Sequence, residues 1–298
     1  MILYSLFRAA RPVRWIFHCI FSGIYGLARD RDGFEKIAAA ESKTNPARFL
    51  SAAAILKNEG AYIREWLDFH ILQGVEYFYL YDNDSTDNVE EILAPYIEKG
   101  LAEYAKWPGR GMQKPAYLDA ARRAVGKTSW LCFIDLDEFV VASKGAVADF
   151  LRTLPADAVQ LSIGWANYGS NSRVEKPNGL VIENYRMRAK KTVSLKSIVR
   201  PMFIADDCGY SVHVQKVIGK TVDENGRAIL PFRDYVLSIE RIRVNHYSVK
   251  SKEEYKARKA RGGNADDGRA RWDERHFARH DTNEVYDFIM ENWVPLLS

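Results

Sequence analysis

Two acidic side chains separated by one leucine, Asp135-Leu136-Asp137, follow directly on the apolar run Trp130-Leu131-Cys132-Phe133-Ile134. In extended backbone, residues two apart point to the same side, so both carboxylates can grip one hard divalent cation through oxygen. Such an ion can bridge a diphosphate and neutralise the charge that builds on a departing nucleotide. A second acidic cluster, Asp82-Asn83-Asp84-Ser85-Thr86-Asp87, ends another β-rich run, Val75 to Tyr81. An isolated Asp-x-Asp usually decorates a solvated turn. This one stands out by its place after a buried strand, in step with the other acidic strand end. Two histidines offer an imidazole nitrogen to a manganese-like ion: His246 in Val244-Asn245-His246-Tyr247, and His213 in the alternating run Tyr210-Ser211-Val212-His213-Val214. A lone histidine in a strand is also commonly a satisfied structural residue, and the choice between the two stays open.

The elements that must place these groups read as alternating strands and helices. Ser51 to Leu56 is a short buried strand that breaks into Lys57-Asn58-Glu59-Gly60; Ile63, Trp66, Leu67 and Ile71 then recur at helical spacing, with Gly74 as a left-handed cap. Asp87 with Glu90 is a capping-box signature opening a second helix, which Gly100 closes. Leu101 to Trp107 is a third strand, Gln113 to Val125 a third helix, and the run before Asp135 a fourth strand. This βαβαβαβ pattern predicts a parallel sheet covered on both faces by right-handed crossovers. Ligands bind such sheets beyond the carboxyl ends of the strands, which puts both acidic ends on one crevice.

With 298 residues, 47% hydrophobic and 28% charged, the chain has room for one large α/β domain or two small ones, and collagen-like, low-complexity and disulfide-scaffold classes are excluded. A net charge of +4 is too slight for a nucleic-acid footprint. Cys19, Cys132 and Cys208, odd in number and widely spaced, fit neither a disulfide framework nor a zinc ribbon and point to a reducing, cytoplasmic setting. Arg8, Arg11 and Arg14 precede Trp15 to Ala28, a stretch free of Lys, Arg, Asp and Glu. It is short for a membrane crossing and suits a helix lying peripherally on an anionic membrane; a helix docked on protein and a signal sequence are the alternatives.

At this point a resemblance emerges. Lys57-Asn58-Glu59, Glu65-Trp66-Leu67-x-Phe69-His70 with Gly74-Val75, and Tyr79-Leu80-Tyr81-Asp82-Asn83-x-Ser85-Thr86-Asp87 together resemble the opening of glycosyltransferase family 92 and its bacterial relatives in the family 2-like group. Gln113-x-x-Ala116-Tyr117, Trp130-x-x-Phe133-Ile134-Asp135-x-Asp137-Glu138-Phe139, Lys196-Ser197-Ile198-Val199-Arg200-Pro201 and Asn245-His246-Tyr247-Ser248-x-Lys250-Ser251-x-Glu253-Glu254-Tyr255 continue it in order. The resemblance implies an α/β GT-A fold, Rossmann-like with a mostly parallel sheet and a smaller mixed acceptor-side region, over residues 46–265. Residues 1–45 are set apart as the N-terminal segment and 266–298 as a C-terminal helical tail. It further implies a UDP-sugar donor, Mn2+ or Mg2+, a glycan or lipid-linked saccharide acceptor, and transfer with inversion.

Carried over by position, the resemblance makes Asp135 and Asp137 the metal and diphosphate motif, with His246 as a further ligand. Lys57, Glu59, Asp82, Asp87 and Gln113 would line the donor pocket, Asp87 being equally readable as a helix cap, and Lys250 would reach the diphosphate. The remaining charges from Lys252 to Arg261 read as a solvated helix face with a Glu254–Arg258 pair. In the aromatic and amide-rich segment Leu161 to Ser170, Trp165 and Tyr168 fall on the acceptor side, where His213 can face the same crevice. Inversion needs a base opposite the leaving group; Asp137, Glu138 and Asp207 are the catalytic candidates, with Glu183 and Asp206 also available for that base. The run Phe133 to Asp137 is also similar to the nucleophile motif of haloacid-dehalogenase-type phosphatases, with Asp135 attacking phosphorus, although Glu138-Phe139 replaces the usual small turn residues. A non-catalytic sugar-binding protein is a third reading.

Overall fold

The computed structural model describes residues 33–191, 194–205, 211–230, 237–260 and 273–297. Arg8, Arg11, Arg14, the apolar stretch Trp15 to Ala28, Cys208 and the candidate pair Asp206-Asp207 lie outside them. The chain divides into two units, residues 1–44 and 45–298. In the first, residues 33–41 form a helix, α1. Among the described residues no helix is long and apolar enough to cross a membrane.

The second unit begins with the expected alternation: β1 (Arg48–Leu56), α2 (Ile63–Leu72), β2 (Tyr77–Asp82), α3 (Val89–Glu98), β3 (Ala102–Lys106), α4 (Gln113–Ala124) and β4 (Thr128–Phe133). These strands are parallel, in the order β3-β2-β1-β4. Side-chain alternation along them makes two cores from one sheet. Ala52, Ala54, Leu56, Phe78 and Leu80 face α2 and α3 with Trp66, Leu67, Phe69 and Leu93. Ala53, Ile55, Tyr79 and Tyr81 face α4 with Ala116, Tyr117 and Ala120. The small residues of β1 let a helix approach on each side. Gly74 does sit in the left-handed region, at φ +86, after α2, and an added Cβ there would meet the Ala148 side chain at 2.5 Å.

Beyond β4 the sheet becomes mixed. The following elements are β5 (Glu138–Ala142), α5 (Val147–Arg152), β6 (Ala158–Asn167), α6 (Val181–Asn184), β7 (Met187–Arg188), β8 (Leu195–Val199), β9 (Lys220–Val222), β10 (Ile242–His246), α7 (Lys252–Ala260), α8 (Glu274–His280) and β11 (Val285–Tyr286). The order continues β4-β8-β6-β10-β5, with β8 antiparallel to both β4 and β6, and β10 antiparallel to β5. The C-terminal segment, expected as a helical tail, is instead built into this unit. β11 pairs with β7, Met290 joins the core, and Asp287 accepts from buried Arg243 at 2.5 Å while also pairing with Arg188.

Candidate active site

The strand β4 ends at Phe133, and the chain then turns, closed by Glu138 N donating to Asp135 O at 3.0 Å. Asp135 to Asp137 is therefore a turn and not the extended segment expected, and its two carboxylates meet different partners. The Trp66 indole on α2 donates to the carbonyls of Asp135 (3.1 Å) and Glu138 (2.9 Å), fixing the turn to the helix beneath it. Glu138 is fully buried, with Oε2 accepting from Asp135 N at 3.0 Å. Burial pushes its carboxyl well above the usual range, despite Lys196 beside it. These surroundings suit a residue that shapes the turn, and the expected role as a base meeting an acceptor has no support in this placement.

Asp135 is held by three side chains. Gln113 Nε2 (2.7 Å) and Tyr117 OH (3.0 Å), one turn apart on α4, donate to Oδ1, and Lys196 Nζ on β8 lies 3.0 Å from Oδ2. Gln113 thus acts on the acidic turn from within. Lys196, 1% exposed, also lies 3.2 Å from Glu138 Oε2. Burial works against charge on Asp135 and on Lys196 alike, but each outweighs that penalty for the other, so the carboxyl sits below its usual value and the ammonium well above. With its oxygens so engaged, Asp135 is poorly placed as a phosphatase nucleophile.

Asp137 faces the other way in chemical terms. Its Oδ2 accepts from Arg258 Nη1 on α7 at 2.5 Å and lies 3.5 Å from His246 Nε2 at the end of β10. Burial is overcome by Arg258 and His246, and the carboxyl is held well below the usual range. The other nitrogen of His246 lies 3.1 Å from Asn167 Oδ1, which orients the ring with Nε2 toward the acid. Trp165 packs 4.2 Å from the His246 ring and 5.2 Å from His213. His213 is thus a wall of the same corner. Its Nδ1 and the Trp165 Nε1 are buried without a hydrogen-bond partner among the described residues. Tyr168 is elsewhere: three residues along from Trp165, it points to the opposite side, fully buried against Tyr247 with its hydroxyl on Arg243, which removes it from the acceptor side.

The donor-side loops are stapled together. Asn58 adopts φ 53, and its Oδ1 accepts from Thr86 N at 2.7 Å while its own N–H donates to Ser85 Oγ at 2.9 Å. Asp87 Oδ2 accepts from Gly60 N at 2.7 Å, joining the loops after β1 and β2. The expected capping box does not form: Asn88 precedes α3 without a side-chain cap, and Glu90 pairs with Lys106 at 2.9 Å. Asp82 is spent inside the protein, accepting from Ser85 N (2.9 Å), Tyr104 OH (2.5 Å) and Lys106 Nζ (3.0 Å). Lys57 stands half-buried just beyond β1, and buried Glu59 lies within electrostatic reach of Lys250 and Arg258.

Lys250, at φ 51, is buried, and its ammonium sits 4.4 Å over the Tyr62 ring. Burial lowers its proton affinity, with Asp137 and Glu59 opposing. The Glu254–Arg258 pair expected on a solvated face is not made. Glu254 instead accepts from Tyr62, Tyr185 and Ser251, which frees Arg258 for Asp137. Sequence reasoning thus missed Lys196, Arg258 and Asn167. A lone lysine inside Leu195-Lys196-Ser197-Ile198-Val199 was the available signal for the first, because a strand that apolar buries its one cation only against an anion.

Among the described residues no three His, Cys, Asp or Glu side chains form a ready-made metal cluster. The chemistry around Asp137 nonetheless fits a hard divalent ion. Its Oδ1 takes no donor among the described residues, and Nε2 of His246 faces the same acid.

The chain is similar to several known proteins. A glycosyltransferase family 92 protein of rice (Oryza sativa subsp. japonica) is 29% identical over 160 residues, 52% of this chain and 27% of the rice protein. A family 92 protein of Arabidopsis thaliana is 28% identical over 193 residues, 61% of this chain and 34% of that protein. The chain spans about a third of the length of these curated relatives, or less. The solved structure of S. aureus TarS 1-349 aligns at a TM-score of 0.40 and 16% identity, over 72% of this chain and 64% of that one. The profile of glycosyltransferase family 92 matches residues 53–266, from β1 through α7 and with both acidic strand ends inside it, and the chain belongs to that family.

Proposed function

We propose that the chain is a metal-dependent glycosyltransferase that moves a sugar from a UDP-sugar to a hydroxyl of a glycan or lipid-linked saccharide, working at the cytoplasmic side of a membrane. Family membership supports the reaction class, and one observation carries the site: Asp137, His246, Arg258 and Lys250 gather at the acidic turn where the parallel half of the sheet meets the mixed half. Asp137 and His246 would hold Mn2+ or Mg2+, with Asp135 beside them. When bound, the ion supplies Lewis-acid charge to the diphosphate. Arg258 and Lys250 add fixed positive charge where the leaving group accumulates negative charge. The acceptor hydroxyl oxygen attacks the anomeric carbon and gives up its proton to solvent, while the bond from that carbon to the diphosphate oxygen breaks and UDP departs with the electron pair. Asp135 stays with Gln113, Tyr117 and Lys196 and sets the turn, while Asn58, Asp87 and Gly60 keep the donor-side loops together.

Asp137→Asn keeps the shape and removes the charge. It should abolish transfer and lower the affinity for UDP measured calorimetrically with manganese by at least about tenfold, in a variant that keeps the parent's circular-dichroism spectrum while its unfolding midpoint falls because Arg258 loses its partner. Unchanged UDP affinity and turnover would overturn the assignment.

A further inference from the structure

One helical turn from the acidic turn lies a cavity of about 210 Å3, bounded by Ala61, Tyr62 and Glu65, by Lys176 and Asn178, and by Glu254. Glu254 and Arg258 stand four residues apart on α7, so the same helix face touches the cavity and Asp137, about 6 Å apart along the axis. A second link runs through Lys250, whose ammonium covers the Tyr62 ring and which is in electrostatic contact with Asp137 on one side and Glu254 on the other. The walls are rigid. Glu254 accepts from Tyr62 OH at 2.8 Å and Ser251 Oγ at 2.7 Å, and Glu65 is fixed by the backbone N–H groups of Val181 (2.8 Å) and Ile182 (3.0 Å).

Charge decides what such a chamber accepts. The carboxylates of Glu65 and Glu254 outnumber the one ammonium of the lining, Lys176, which lies 4.9 Å over the Tyr62 ring, so the lining disfavours an anion. The lining nonetheless offers donors and acceptors to neutral hydroxyls, and the volume is below that of a drug-sized pocket, about one monosaccharide. We propose that this cavity binds one neutral sugar unit of the acceptor, selecting against uronic acids and phosphosugars; the acceptor role rests on the transferase reading above, the sugar site itself on the cavity.

Ala61 and Asn178 are exposed residues at the cavity wall, so Ala61→Trp and Asn178→Trp fill it without touching the core. Saturation-transfer NMR on the full chain would use neutral methyl glycosides, methyl glucuronide and glucose 6-phosphate as probes, with UDP and manganese titrated separately. The expected result is saturation of a neutral methyl glycoside by the parent, a loss of at least about tenfold in its affinity in each folded variant, and unchanged UDP binding. Equal or stronger binding of the anionic sugars, or neutral binding that neither variant alters, overturns the proposal. UDP binding without any glycoside signal also overturns it and leaves the donor reading standing. Glycoside binding that both variants abolish, with no UDP binding, keeps the sugar site and sinks the transferase reading instead.

Discussion

Lys196 illustrates how one residue governs the acidic turn. Its ammonium is the cation that Asp135 meets directly, and it also approaches Glu138; Lys196 and Glu138 are sealed from solvent, while the Asp135 side chain is 31% exposed. Removing one partner of a buried pair leaves the other charge without compensation, which costs about 3–5 kcal/mol. Lys196→Met should therefore lower the unfolding free energy in urea by about that amount. Adding Asp135→Asn removes one of the two carboxylates left without their cation and should recover part of the loss. A single-variant effect below about 1 kcal/mol would show that the pair is incidental to stability. The Asp-x-Asp spacing was legible in the sequence, but its conformation was not. Whether two acids share a face depends on the turn closed by Glu138 N, and that turn depends on hydrogen bonds from Trp66, about seventy residues away in sequence.

At the level of elements, α2 and β5 are joined by a histidine in its neutral form. His70, 1% exposed, has Nε2 accepting from Val140 N at 3.2 Å, so the ring proton sits on Nδ1 and donates to Trp66 O at 2.7 Å. Protonation would set a second N–H against Val140, and burial pushes the ring pKa down to about 3. An unfolded histidine takes up its proton near 6.5, so the unfolded state gains protons first as pH falls. The stability contributed by the neutral ring is complete above 6.5 and is lost progressively from there down to about 3. His213, pushed down to about 4 by burial, adds in the same direction. His70 by itself should make the unfolding free energy in urea about 3 kcal/mol lower at pH 4.5 than at pH 7, and His70→Gln should reduce the pH dependence by about that amount; an equal slope in the variant would remove His70 from the account. The helices and parallel strands of this half could be read in advance, because each repeats a local pattern of apolar spacing and a glycine stop. The mixed half could not. β8 inserts between β4 and β6 by pairing Leu131 with Val199 on one side and Gly164 with Leu195 on the other, and no local period encodes that. The same holds for α7, whose charges look like a solvated face until Tyr62 and Tyr185 take Glu254 and Asp137 takes Arg258.

For the whole molecule, the division at residue 44 separates the family-matched region from everything before it. The sheet, both cores, the acidic turn and the sugar-sized cavity are all built from residues 45–298. The arginine-flanked apolar stretch Trp15 to Ala28 is the sequence feature suited to a membrane contact, where three basic residues would add attraction to anionic headgroups that salt weakens. Deleting residues 1–30 should leave UDP affinity and the unfolding midpoint unchanged while abolishing sedimentation with phosphatidylserine vesicles. In the full chain, raising salt from 0.1 to 0.5 M, roughly halving the Debye length, should weaken vesicle binding in a graded way. Retained binding after the deletion would move the contact onto residues 45–298, and an insoluble product would mean that the stretch covers apolar protein surface instead of lipid.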